Sequence, residues 1–370
     1  MPEDAEVFAR FTELRRLVIG TIGVGKRAWK NPPDGVLASL VALNRLEVLR
    51  LPWQLVVPKQ MAALASCRGL RELHLNGELV AFDDALTAAL LAIPNLRVLS
   101  LSLVPLGRAD MDALCRLPLE ELELWRCADL DAQAWARLCS LTSLRRLSLH
   151  ELGRAEPGAQ APGKVTWRPN GDDLRRLCDL PRLTGLAFDR CELRDEDLLA
   201  LPDRLTELTL AGYELGPEGV RALRRFGALR RLDLIMFVND FGNLRTPPEA
   251  VRAASADALA EALGALRLAT LHYAGEMNNT LARSIGLQSE LTELRLQCYR
   301  VGSLVEVARA PLLRHLAIGE FAAAPSLRVE DLAPLTGCRR LRRVELSVPG
   351  IEAVAVRSLL GEGITVEVIR

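Results

Sequence analysis

The chain has little of what usually announces chemistry. It carries four histidines in 370 residues, His74, His150, His272 and His315, and no pair of them has metal-ligand spacing. There is no Cys-x-x-Cys and no Gly-x-Ser-x-Gly nucleophile elbow. Net charge is also missing. Lys+Arg and Asp+Glu stand at 47 each, so no global field points to nucleic acid or to a membrane surface. No run of about 18 uninterrupted apolar residues occurs, so no membrane helix is expected. The start, Met1-Pro2-Glu3-Asp4-Ala5-Glu6, is acidic and lacks the basic opening and apolar core of a signal peptide. Eight cysteines are too sparse for a disulfide framework in a chain of this length. They are expected to be reduced, in a cytoplasmic protein.

What is present in quantity is leucine, in one spacing. In Leu144-Arg145-Arg146-Leu147-Ser148-Leu149, leucine stands at positions one, four and six with polar residues between. The last two leucines alternate as a strand does, two apart on one face, and the first turns into the same interior. The pattern returns at Leu70-Arg-Glu-Leu73-His-Leu75, Leu96-Arg-Val-Leu99-Ser-Leu101, Leu205-Thr-Glu-Leu208-Thr-Leu210, Leu229-Arg-Arg-Leu232-Asp-Leu234 and Leu291-Thr-Glu-Leu294-Arg-Leu296. First leucines fall at 14, 46, 70, 96, 119, 144, 183, 205, 229, 268, 291, 313 and 341, mostly 22 to 28 residues apart.

This short consensus resembles the leucine-rich-repeat family, and in its helical connections the ribonuclease-inhibitor-like branch, over nearly the whole chain. The resemblance implies an α/β solenoid, a horseshoe with a parallel concave sheet and short helices on the convex side. A single domain over 1–370 is expected, with an N-terminal cap at 1–13, about thirteen repeats over 14–346 and a C-terminal cap at 347–370. A cap helix is expected over residues 3–12, and Ile364-Thr-Val366-Glu-Val368 reads as a terminal strand. Asp84–Leu91, Asp131–Leu138 and Asp257–Leu263 repeat apolar residues three to four apart and predict helices of two to three turns, several opening on Asp or Ser. Cys67, Cys115, Cys139, Cys178 and Cys338 precede first leucines and are expected as small buried hydrophobes. Cys127 and Cys191 occupy the family's Asn/Cys position, where a thiol can cap backbone groups.

Segments 20–35, 150–171, 236–256 and 319–328 depart from the compact repeat. Each follows a strand and precedes a convex helix, so all four are expected as loops on one rim. The first contains Gly20-Thr-Ile-Gly23-Val-Gly25-Lys26-Arg27, which imitates a phosphate-binding loop. It lacks the Ser or Thr after the lysine, and Asn31-Pro32-Pro33 follows where a helix should begin. The arginines at the second repeat position, such as Arg71, Arg97 and Arg145, are interleaved with acids and read as a solubilising edge rather than a phosphate grip.

Glu121 and Glu123 share a strand face about 7 Å apart with nothing apolar beside them to raise a pKa, so catalysis finds no support there. The residues flanking the third leucine, and the pair after it, face the concave side. Across neighbouring repeats they give Glu123, Trp125 and Arg126, then Ser148, His150 and Glu151, then Asp189 and Arg190, of which Glu123, Trp125, Arg126, His150, Asp189 and Arg190 are the candidate contacts. Trp125 is expected to stand exposed on this polar face, and Trp135, on a convex helix, to be core. The reading is a binding scaffold that takes a protein partner on the concave face and one loop-bearing rim, with no cofactor. The alternative is a nucleotide-dependent switch or enzyme using Gly20–Lys26.

Overall fold

The structure, a computed structural model, describes residues 11, 13–19, 37, 40–52, 56, 61–76, 84–104, 106–127, 130–152, 169–191, 193–212, 215–236, 238–240, 243–245, 248–298, 301, 304–320 and 327–369. The chain forms two compact units, residues 1–183 and 184–370. Among the described residues both are α/β, built on open parallel sheets whose strands follow chain order.

In the first unit six strands lie side by side: β1 (Arg16–Val18), β2 (Val48–Pro52), β3 (Glu72–Asn76), β4 (Val98–Ser102), β5 (Glu121–Trp125) and β6 (Arg146–His150). Their register carries no shift, so the leucines form ladders. Leu17, Leu49, Leu73, Leu99, Leu122 and Leu147 are successive partners, and so are Leu51, Leu75, Leu101, Leu124 and Leu149. From β2 onward every one of these leucines is 0–1% exposed, and so are the first leucines Leu46, Leu70, Leu96, Leu119 and Leu144. Each contributes roughly 1.5–3 kcal/mol of burial. The first repeat departs from expectation. Leu14 and Leu17 are only half-buried; among the described residues β1 pairs with β2 alone.

Helices return the chain from strand to strand: α1 (Asp84–Leu91), α2 (Arg108–Leu114), α3 (Ala132–Leu138) and α4 (Gly171–Arg175). Asp131 caps α3 by accepting from the Ala134 N–H at 2.7 Å, as expected of an N-cap acid. Trp135 is fully buried and its indole donates to the Asp173 carbonyl at 2.7 Å.

The second unit has eight parallel strands: β7 (Gly185–Asp189), β8 (Glu207–Ala211), β9 (Arg231–Ile235), β12 (Thr270–Gly275), β13 (Glu293–Cys298), β14 (His315–Glu320), β15 (Arg343–Ser347) and β16 (Thr365–Val368). The same ladders run here, with Val344 and Val366 replacing leucine in the first and Phe188, Tyr273, Ile318 and Val368 in the second. β16 pairs in register with β15, as the alternation at 364–368 implies. The helices are α5 (Pro217–Ala222), α6 (Glu249–Leu263), α7 (Asn279–Gly286), α8 (Leu304–Val307) and α9 (Ala353–Leu360).

Four expectations need correcting. Asp257 does not open a helix. It lies inside the fifteen-residue α6, which begins after Pro248. For the same reason 236–256 is not one loop. It contains β10 (Val238–Asp240) and β11 (Asn243–Arg245), an antiparallel pair, and then the start of α6. Several return segments are 3-10 rather than α, at Ala62–Ser66, Asp195–Ala200 and Val329–Gly337. In the last, Pro334 has no N–H to give an α ladder. Finally, Cys178 is exposed and Cys115 half-buried. Leu174, Leu177 and Leu180 are all fully buried, three apart as a 3-10 turn demands, and Cys178 falls off that stripe.

The expected cap helix at 3–12 lies almost wholly outside the described residues. So do the Gly20–Lys26 loop and most of the expected rim segments 150–171 and 319–328. Among the described residues no helix is long and apolar enough to cross a membrane.

Candidate functional site

A parallel sheet with one face given to leucine must present its alternate residues on the other. In the first unit, two outward rows run across the strands. Arg50, His74, Ser100, Glu123 and Ser148 form one. Ser102, Trp125 and His150 form the next, toward the strand C-termini.

Parallel strands lie about 4.8 Å apart, which is also a comfortable stacking distance for flat rings. Trp125 and His150 use it. Their ring centroids are 4.8 Å apart and their planes 14° from parallel. Trp125 is therefore half-buried rather than exposed: the alternation puts the indole on the outer face, and the imidazole of the next strand then covers one side of it.

Glu123 completes the group. Its Oε1 lies 3.2 Å from His150 Nε2. The hydrogen bond from His150 is the main reason that its carboxyl is pulled down to about 2. A second from Ser100 helps, and both outweigh the burial that opposes them. The carboxylate is therefore ionised at any physiological pH. His74, in the same row, is nearly buried and sits 2.6 Å from Glu72 Oε1. Arg126 turns away from the strand, with its Nε 3.4 Å from Glu151 Oε2.

The rim has an unusual backbone. Leu103, Arg126 and Glu151, each the residue just after its strand, have φ of +60°, +49° and +52°. Left-handed backbone is uncommon for residues other than glycine. Here the N–H groups of Leu103 and Arg126 donate to Trp125 O at 2.8 Å and His150 O at 2.9 Å, extending the ladder one residue past the strand. The chain reverses there, at a cost of roughly 1–2 kcal/mol per residue.

In the second unit, Asp189 and Arg190 stand at the end of β7. Arg190 repeats the left-handed turn at φ +52° and donates its N–H to Ala211 O at 2.8 Å. Its Nε is 3.5 Å from Asp189 Oδ1. Of the six residues singled out in the sequence, Glu123, Trp125, Arg126 and His150 thus group in the first unit. Asp189 and Arg190 pair with each other in the second.

His74 and Ser100 belong to the group around Glu123 and were not singled out. Writing the repeats one beneath another at their leucines would have found them, since all three share a repeat position. The same face in the second unit is strung with ion pairs. His315 Nε2 lies 3.0 Å from Glu345 Oε1, and Arg343 reaches Glu345 at 2.7 Å and Glu367 at 2.9 Å. Arg231 and Thr209 both reach Asp233 Oδ2, at 3.0 and 3.3 Å. Glu120 sits between Arg97 and Arg145, at 3.9 and 3.5 Å, which suits a solvated edge better than a phosphate grip.

An open depression of about 570 Å³ between Asp195–Ala200 and α5 is lined by Asp195, Glu196, Leu199, Glu218, Arg221 and neighbours. Two of its arginines are engaged, Arg221 with Glu218 and Glu261, and Arg225 with the carbonyls of Leu198 and Leu199. Among the described residues no group of three or more His, Cys, Asp or Glu is arranged to hold a metal.

The eight cysteines are thiols. Cys127 donates to the carbonyls of Leu101 and Trp125, each at 3.7 Å, and Cys191 to Asp189 O at 3.3 Å, as expected of their repeat position. Burial pushes the Cys127 thiol up to about 12, far from nucleophilic range. No protein-family model and no curated protein matches the sequence.

Proposed function

We propose that the chain is a leucine-rich-repeat protein that binds another protein on the outer, leucine-free face of its parallel sheet and along the strand-end rim. Trp125 carries the reading. A tryptophan set on the polar face of a sheet, half-buried and stacked on His150, places a large apolar surface where a soluble sheet would normally keep none. Trp and Arg dominate interface hot spots, and Arg126 lies beside it. The rigid support of paired strands suits recognition rather than bond-making. The nearby acid is held ionised by donors instead of poised to transfer a proton. Cofactor and nucleic acid play no part in this reading. A reducing, cytoplasmic setting suits eight thiols of which six are buried.

The test is affinity capture with the full chain, wild type against Trp125→Ala, with circular dichroism to confirm folding. The expected outcome is a protein retained by the wild type and held at least about 30-fold more weakly by the variant, a loss of about 2 kcal/mol. A captured partner that binds both equally overturns the reading.

A further inference from the structure

Resting on that reading of the face, we propose that the Trp125 indole is the floor of a slot for a cationic side chain, lysine or arginine, on the partner. His150 covers one side of the ring. On the other side the register partner is Ser102, whose side chain is too small to cover an indole. Among the described residues the cation–π contact present is Arg225 over Phe226, and no cation lies over Trp125. Among the described residues, the second face of the ring is therefore the one left for a visitor.

Charge decides which visitor. The outward positions of β3 to β6 and the turns after them carry Glu72, Glu121, Glu123 and Glu151 against Arg126 and Arg146, with two histidines. Arg146 is matched to Glu121 and Arg126 to Glu151. What remains is two carboxylates, Glu72 and Glu123, each in contact only with a histidine among those cations. Among the described outward residues of β3 to β6 and the turns after them, four carboxylates thus stand against two arginines. Glu123 stands two residues before Trp125 on the same face, about 7 Å away. That is the reach of a lysine or arginine whose stem lies on the ring and whose head meets the carboxylate. An anionic partner would meet the same carboxylates with repulsion.

A random heptapeptide library displayed on phage and panned on the full chain tests this. Binders should be enriched in Lys or Arg. They should be lost on Trp125→Leu, partly retained on Trp125→Phe, and weakened about tenfold or more by Glu123→Gln, which keeps the shape and removes the charge. Replacing the basic residue by norleucine should abolish binding. Trp125-dependent binders without basic residues, or indifferent to Glu123→Gln, overturn the cation slot and leave the protein-binding face intact. A library yielding no Trp125-dependent binder also overturns the slot. If its binders respond to Arg50→Ala or Arg146→Ala the face still binds protein, and if they respond to neither, both readings fall.

Discussion

Trp125 lies flat against His150 across two parallel strands, 4.8 Å between ring centres. Stacked rings of this kind are worth about 0.5–1.5 kcal/mol beyond the area they bury. His150→Ala should therefore cost at least about 1 kcal/mol in urea unfolding at neutral pH, since ionised Glu123 loses its main donor as well. It should also change the near-ultraviolet dichroism of the indole. Unchanged dichroism would mean that the rings do not stack in solution.

The acid in the same group gives a pH dependence. The folded Glu123 carboxyl sits at about 2, below an ordinary value of 4.5. A depressed pKa stabilises the fold above the ordinary value, and the stabilisation is lost as pH falls from about 4.5 toward 2. The stability difference between wild type and Glu123→Gln should thus be largest above pH 5 and shrink toward zero near pH 2. A difference that grows on acidification would reverse the assignment.

The sheet register makes a sharper claim. Leu147 is fully buried in its ladder, and Arg146 beside it is exposed and paired with Glu121. Leu147→Ala should cost about 2–5 kcal/mol and Arg146→Ala under about 0.5 kcal/mol. Equal losses in thermal or urea unfolding would contradict the register.

Two glycines should respond oppositely to alanine. A Cβ on Gly286 would meet the Glu306 carbonyl oxygen at 2.0 Å, backbone against backbone between α7 and α8. Gly286→Ala should destabilise by about 1–3 kcal/mol or more. At Gly227 an added Cβ meets nothing within 4 Å. Gly227→Ala should be neutral or raise stability by up to about 1 kcal/mol, through the unfolded chain. Similar melting temperatures for the two variants would count against the close approach at Gly286.

These contrasts show what was legible in the sequence. The strands were, because leucine at one, four and six leaves only one arrangement that buries all three. The outward placement of Glu123 and Trp125 followed from alternation alone. The nearness of His74 and Ser100 to Glu123 was not legible from any one repeat, since it depends on lateral register between repeats about 25 residues apart. The partial burial of Trp125 depends on how two rings settle against each other, which alternation does not specify. Helix type was missed where short connections and Pro334 made a 3-10 turn the easier path. The left-handed rim was invisible for a different reason. Leu103, Arg126, Glu151 and Arg190 are not residues that advertise it, and only Gly212, at φ +75°, carries the usual signature.

That rim has a consequence for how the protein can change. In the first unit three successive strand ends make the same reversal, with leucine, arginine and glutamate in the slot. Ladder hydrogen bonds from Leu103 and Arg126 hold that backbone without a glycine, although asparagine or aspartate would sit there more easily and a β-branched residue or proline far less so. The side chains are half-buried, and Arg126 and Glu151 pair with each other. Positions of this kind resemble type set in a frame: a letter can be changed where the new residue tolerates the left-handed turn, while the ladder beneath keeps its register.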